Sequence, residues 1–462
     1  MIAIILFLGA IFFYLTDKKN ISLLLFFSLP TSGFQIVPFS LMVLPDVGLN
    51  KTYDLGIVFL LFILALEYKK IIHIVRARYY KALLSIFLLS SIIFLVSVVV
   101  YKYNVATALR PYRSYLFLLS FALFELYSFK DIEKCFKLLV FITFVQSMLY
   151  ILQNPLGMPL LNSGLADDIV EHQTASFTRY YNLPVLLIPS LFYCLLFQKK
   201  FIPFIRYIYI ASFFAVILLS LHRNLLFATI LILFFSLLKS SNIKKTITYI
   251  SVGSLLLLLT YTFLEDRIDE GLKDLQIVNK LQIDNNYGLL NYDAHSTNTS
   301  TFRAFHFLER LQYVSDNSMH ILFGIGFLTE DAPQAKALHF NVGLKDESGQ
   351  IAQINTGDIA WSILILNFGI VGTIIYLLCI IWLLVQFFKL FTFGYAKLCA
   401  CYILLVLITS FYGTDLISVY CKLMLPLLAV LSRKEIAYYI SRKKSYENTT
   451  AHIHHNTLLQ PS

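Results

Sequence analysis

The sequence predicts an all-α polytopic membrane protein, with about 12–14 transmembrane helices and one large, partly helical extracytoplasmic loop. Three observations predict it. Hydrophobic side chains make up 58% of the 462 residues and charged ones only 14%, far from the composition of a soluble domain. The apolar residues fall in runs of roughly 15–25, each able as helix to cross a hydrocarbon layer about 30 Å thick. Between the runs, loops rich in Lys and Arg alternate with loops that are poor in them, the asymmetry of a chain threaded through a membrane. The formal charge of +10 is thereby accounted for without nucleic acid as a partner.

Thirteen runs follow one another near 2–16, 21–44, 54–67, 82–100, 115–129, 136–153, 182–198, 207–222, 224–238, 247–263, 359–387, 396–412 and 416–432. The first has no basic stretch before it and no small-residue cleavage site after it, so it reads as a membrane helix and not as a cleaved signal. One set of loops carries Lys18, Lys19, Lys69, Lys70, Arg76, Arg78, Lys81, Lys130, Lys134, Lys137, Lys199, Lys200, Arg206, Lys239, Lys244, Lys245, Lys389, Lys397 and the basic residues from Arg433 to Lys444. The opposite short loops hold only Lys51, Lys102, Arg110, Arg113, Arg179 and Arg223. Cytoplasmic loops collect Lys and Arg, so the N-terminus is expected outside and the C-terminus in the cytoplasm.

The chain then divides into an N-terminal bundle of about ten helices (1–263), an extracytoplasmic loop (264–357), about three C-terminal helices (358–432) and a basic cytoplasmic tail (433–462) read as disordered. The tail histidines His452, His454 and His455 are a weak metal signal and fit an accidental tract as well. The stretch from Gln153 to Asn182, with Pro155, Gly157, Pro159 and Gly164 beside Asp167, Asp168 and Glu171, reads as an irregular outside loop. Within the large loop, Ser300 to Val314 has an apolar stripe of Ala304, Phe307, Leu308 and Leu311, the spacing of an amphipathic helix. Beside it runs a polar row, Arg303, His306 and Arg310, which can point across the membrane surface. The six cysteines lie in or beside apolar runs, so neither a disulfide framework nor a cysteine-type zinc site is encoded. No His, Asp or Glu spacing in the large loop supports a metal, and no cofactor is expected.

Candidate chemistry starts with arginines on the side where basic residues are scarce. Arg110, Arg113, Arg179 and Arg223 each flank an apolar run, and Arg303 and Arg310 face the same compartment. Guanidinium groups bind phosphate oxygens in pairs and do not deprotonate, so a convergent set points to a pyrophosphate or anionic-lipid ligand. Snorkelling to lipid phosphate is the alternative for any one of them, least so for Arg223, which has almost no loop around it. Asp358, at the outer end of the run from Ile359, can accept a proton from a sugar hydroxyl or can serve as a helix N-cap. His306, flanked by arginines, would be kept neutral and so fit a base; a solvated histidine on an ordinary helix face is the alternative. Glu125 and Lys422 are charges within apolar runs, the first near enough to the cytoplasmic end to snorkel and the second unassigned.

Three local patterns carry a family resemblance. Ser220-Leu-His-Arg223-Asn-Leu-Leu resembles the segment in which the O-antigen polymerase and ligase superfamily places a membrane-edge arginine at a helix start. Leu322-Phe-Gly-Ile-Gly-Phe327 resembles a stretch within that superfamily's large periplasmic loop. Asp358-Ile359, nine residues, then Gly369-Ile-Val-Gly372 is similar to the ligase pattern of His, a polar residue, nine residues and GxxG. Here Asp358 replaces the histidine and Ile359 the polar residue, a departure that favours a polymerase (Wzy-type) over a ligase. Gly369 and Gly372 also have an ordinary reading as small residues for close helix packing.

What the resemblance implies is a glycosyltransferase in the bacterial inner membrane. It would polymerise undecaprenyl-pyrophosphate-linked oligosaccharide repeat units into O-antigen or a related surface polysaccharide, at the periplasmic face. Its partners would be a lipid-linked glycan donor and acceptor, with room for a chain-length regulator protein. Arg223, Arg179 and Arg303, then Arg110, Arg113 and Arg310, would hold the donor pyrophosphate, and Asp358 or His306 would deprotonate the acceptor. The alternatives are a ligase that moves finished glycan to lipid A core, and a lipid-linked glycan flippase or transporter, which commonly shows repeated halves and broken helices.

Overall fold

The computed structural model describes residues 2–42, 51–75, 78–162, 172–174, 177–220, 222–238, 299–344, 351–354 and 359–457. The run expected at 247–263 and the first part of the large loop lie outside these residues. Among the described residues the architecture is helical but for one two-stranded antiparallel hairpin. Its strands β1 (His172–Thr174) and β2 (Phe177–Arg179) pair His172 with Arg179; the all-α expectation omitted it.

Helices α1 (Ile2–Leu15) and α2 (Lys19–Ser28) form a tight hairpin, with Ser22 Oγ donating to the Ala10 carbonyl at 2.7 Å. The expected second run does not continue to 44. After Pro30 the chain turns through Ser32, Gly33, Phe34 and Gln35, all at positive φ, a conformation that non-glycine residues adopt only when surrounding contacts enforce it. Here buried amides enforce it. Gln35 Nε2 donates to the Leu183 carbonyl at 3.0 Å, its Oε1 accepts Val185 N–H at 3.1 Å, and Gln146 Nε2 donates to Gln35 Oε1 at 3.2 Å. A four-residue α3 (Phe39–Met42) follows.

The chain continues through α4 (Thr52–Leu66), α5 (Tyr68–Val75), α6 (Lys81–Val99), α7 (Val105–Tyr112), a 3-10 stretch Arg113–Leu119, α8 (Ser120–Glu125) and α9 (Phe129–Leu156). Ser128 caps α9 by accepting Asp131 N–H at 3.2 Å, and Gly157 ends it in the left-handed conformation, the two ends chemistry favours. Then come α10 (Leu187–Leu196), α11 (Pro203–Leu219, with Pro203 in its first turn) and α12 (Arg223–Leu238). The large loop contributes α13 (Thr299–Ser315), α14 (Ser318–Phe323) and α15 (Pro333–Lys336). The last three helices are α16 (Ala360–Lys389), α17 (Gly394–Thr409) and α18 (Val419–Thr457). The tail expected to be disordered is thus helical to Thr457.

Among the described residues α6, α9 and α16 are long and apolar enough by themselves to cross a membrane; the other apolar helices are shorter. Their faces divide accordingly. On α16, Tyr376, Ile380, Leu383 and Phe387 are buried, whereas Ile374, Leu378, Ile381 and Val385 are exposed. On α6, Leu88, Ile92, Leu95 and Val99 form a second exposed apolar stripe. Two such stripes at helical spacing are unfavourable in water and natural against lipid tails.

Candidate functional site

Of the residues singled out in the sequence, Arg303, His306 and Arg310 and the stretches Leu322–Phe327 and Gly369–Gly372 lie where α13 and α14 pack on α16. Helix α13 presents its polar row inward, not across the surface as the stripe implied. His306 is 1% exposed and Arg310 fully buried, while Phe307, Leu308 and Leu311 are only half-buried. Each buried group has a reason. His306 Nδ1 lies 3.0 Å from Ser362 Oγ, on the first turn of α16, and its Nε2 has no hydrogen-bond partner among the described residues. Arg310 sits 4.3 Å from the Phe340 ring centroid and donates to Glu309 at 2.7 Å.

Glu309 in turn accepts the consecutive backbone N–H groups of Asn341 and Val342 at 2.7 and 3.1 Å. Glu330 does the same for Gln353 and Ile354, the latter at 2.8 Å. Two carboxylates thus anchor the segments 340–342 and 353–354 over α13. Carboxylates that accept paired backbone donors make strong, charge-assisted bonds.

Burial, with the Arg310 charge as the smaller cause, pulls the His306 imidazole down to about 3. It is therefore neutral, as the flanking arginines implied, and at 1% exposure it has almost no face open to solvent. Burial lowers Arg310 to about 10, which leaves it charged. With Glu309 paired to it and Phe340 across it, Arg310 holds the loop in place and does not face a substrate.

A second joint lies beside the first. Helix α16 is broken at Gly369, whose φ is +70°, and Leu322–Phe327 fills the break. Ile325 N–H donates to the Leu366 carbonyl at 2.7 Å, Tyr101 Oη to the Gly324 carbonyl at 2.7 Å, and Phe327 N–H to Ser97 Oγ at 2.8 Å. The two glycine stretches noted separately in the sequence meet here: a Cβ on Gly324 would stand 2.1 Å from the Leu366 carbonyl and 2.7 Å from Gly369 N. A Cβ on Gly372 would stand 3.7 Å from the Leu322 carbonyl, an ordinary contact.

The arginines have separate surroundings. Arg110, half exposed, pairs with Asp331 at 2.7 Å. Arg113 pairs with Asp54 at 2.6 Å and lies over the Tyr53 ring. Arg303 lies 5.4 Å from the centroid of Tyr412, in the turn between α17 and α18. That turn is tied to α16 by Ala360 N–H donating to the Gly413 carbonyl at 3.0 Å and by the Trp361 and Phe411 rings at 5.4 Å. Arg179 is the last residue of β2 and Arg223 the first of α12; their side chains and the whole of Asp358 lie outside the described residues. Arg110, Arg113 and Arg310 thus each already hold a carboxylate, of Asp331, Asp54 and Glu309 respectively.

Glu125 does not snorkel. It is buried between Tyr80 Oη, Arg433 at 2.8 Å and Lys434 at 3.2 Å. Sequence reading passed over Ser362, Glu309, Glu330 and Asp54. Only Asp54 left a signal, as a carboxylate at the start of an apolar run opposite two arginines. Among the described residues no group of three or more His, Cys, Asp or Glu side chains is placed to hold a metal ion.

The fold and the site define an α-helical protein with helices able to cross a membrane and a polar cap seated on a broken one. No family model matches the chain, and no curated protein matches it.

Proposed function

We propose that the chain is an inner-membrane glycosyltransferase that joins undecaprenyl-pyrophosphate-linked repeat units at the periplasmic face, in the manner of an O-antigen polymerase. The observation that carries the proposal is the meeting of Leu322–Phe327 with Gly369: two stretches that separately resemble that superfamily are one structural joint here. The cap bound by this joint brings α13, with Arg303, to the outer end of α16, where Asp358 immediately precedes Ile359 in the chain.

The leaving group of such a reaction is already a pyrophosphate. The protein has to position it and offset developing charge, which fixed guanidinium groups do well at a low-dielectric boundary. Arg223, Arg179 and Arg303 are the groups assigned to that task; of these, Arg303 is the one whose side chain is described. With His306 buried against Ser362, Asp358 is assigned the acceptor's proton. Transport is the reading to which a broken helix would lend weight. The break in α16, however, is filled by the backbone of Gly324 and Ile325, and so offers no room for a solute.

The test replaces Arg223 with Lys and with Ala in a strain whose surface polysaccharide depends on this protein. The alanine variant should lose long-chain polymer, with turnover down roughly a hundredfold or more, and leave single repeat units attached to the lipid acceptor. Long-chain polymer from both variants at normal protein level would remove the donor site. Loss of every attached unit would instead identify a ligase.

A further inference from the structure

Lys422, in α18, is 3% exposed. Its Nζ donates to Ser114 Oγ at 2.7 Å and stands 3.6 Å from the centroid of the Tyr115 ring. Neither of these two partners is an anion. The contrast with the other buried charges is plain: Asp54 has Arg113, Glu125 has Arg433 and Lys434, and Arg310 has Glu309. A charge among apolar helices without an opposite charge is costly, and residues of this kind mark ligand paths.

The position of the ammonium is fixed. Tyr115 packs against Phe327 at 5.5 Å and Phe368 at 5.6 Å, so the ring beneath the lysine is part of the glycine joint. Ser114 Oγ donates to the Pro111 carbonyl at 3.1 Å, which leaves it free to accept from Lys422. An ammonium has three donors, of which Ser114 takes one.

We propose that Lys422 and Ser114 form an anion site for one phosphate group of a prenyl-type lipid. An apolar tail carries the phosphate to this depth, whereas a free ion would have to shed its hydration to reach it. The identity of the lipid rests on the glycosyltransferase reading; the anion site rests on the geometry of Lys422.

The test uses the full chain in nanodiscs of zwitterionic lipid, titrated with farnesyl pyrophosphate, farnesol and inorganic pyrophosphate while melting is followed. The unsubstituted chain should bind farnesyl pyrophosphate more tightly than either control. Lys422→Met should weaken that binding at least about tenfold without lowering the ligand-free melting temperature, because it removes a buried charge that pairs with no carboxylate among the described residues. Ser114→Ala should weaken binding less. Unchanged binding in Lys422→Met overturns the site. So does a lowered ligand-free melting temperature in Lys422→Met combined with unchanged binding in Ser114→Ala, which would make the lysine a packing element. Inorganic pyrophosphate binding as well as the prenyl compound would overturn the lipid assignment. If Lys422→Met binds normally while Arg223→Ala loses polymer, the anion site fails and the enzyme reading stands; equal binding of farnesol and its pyrophosphate counts against both.

Discussion

His306 shows how far a residue's chemistry depends on what folds over it. Its neutrality was legible, because flanking guanidinium groups disfavour a second positive charge. Its burial was not: Phe340 and Gln353, which cover the neighbouring Arg310, lie some 30–45 residues further along the chain, and a stripe of apolar residues cannot tell which face of a helix a later loop will cover. The consequence is a pH dependence with a definite sign. The folded-state pKa of about 3 lies below the ordinary imidazole value of 6.5. Between those values the unfolded chain binds a proton that the folded chain does not. The stability contributed by neutral His306 is fully present above pH 6.5 and is lost as pH falls, by at most about 1.4 kcal/mol per unit. Melting temperatures in detergent should therefore drop between pH 7 and pH 5, and His306→Gln, which stays neutral and can still bond Ser362, should show a smaller drop. An identical drop in both proteins would mean that this imidazole does not couple to acid unfolding.

At the scale of elements, α16 is the informative case. The sequence predicts one run at 359–387, and the helix does cover it, but Gly369 divides it in two. Residues 370–389 rise about 30 Å, close to a hydrocarbon core by themselves, so the turns before the break belong to the cap. Periodicity is blind to such a break because apolar residues continue through it. Small residues were legible at 369 and 372, but the positive φ at only one of them was not. Substitution should separate the two. A Cβ on Gly369 would meet the His320 and Ile321 carbonyls at 2.5 and 2.6 Å in a left-handed conformation, whereas a Cβ on Gly372 finds the Phe368 Cβ at 3.0 Å in ordinary helix. Gly369→Ala and Gly324→Ala should each cost about 2 kcal/mol or more, and Gly372→Ala clearly less. Thermal melting of the three purified variants decides it. Equal tolerance at all three positions would mean that the cap does not depend on this joint.

For the whole molecule, the structure relates the two ends of one helix. At the start of α6 stands Tyr80, bound to the Glu125 cluster with Arg433 and Lys434. At its far end, Ser97 and nearby Tyr101 hold the cap through Phe327 and Gly324. The 19 residues of α6 separate these ends by about 28 Å, so the cap and the basic start of the tail lie at opposite ends of a helix long enough to cross a membrane. Which side faces the cytoplasm is an expectation from the distribution of Lys and Arg over the loops. The basic cluster at one end was legible, because loop charge is written in the sequence. The turn at 31–36 was not, because the amides that hold it come from α9 and from residues 182–185. Labelling with a membrane-impermeant maleimide tests the direction. Of the six native cysteines, five are buried and Cys379 is half-buried, so the background should be low. Asp316→Cys, exposed in the cap, should label in intact spheroplasts, and Lys69→Cys, exposed between α4 and α6, only after lysis. The reverse pattern would invert the topology and put the proposed donor site in the cytoplasm, where a periplasmic polymerase has no substrate; equal labelling of both before lysis would mean that no bilayer separates them.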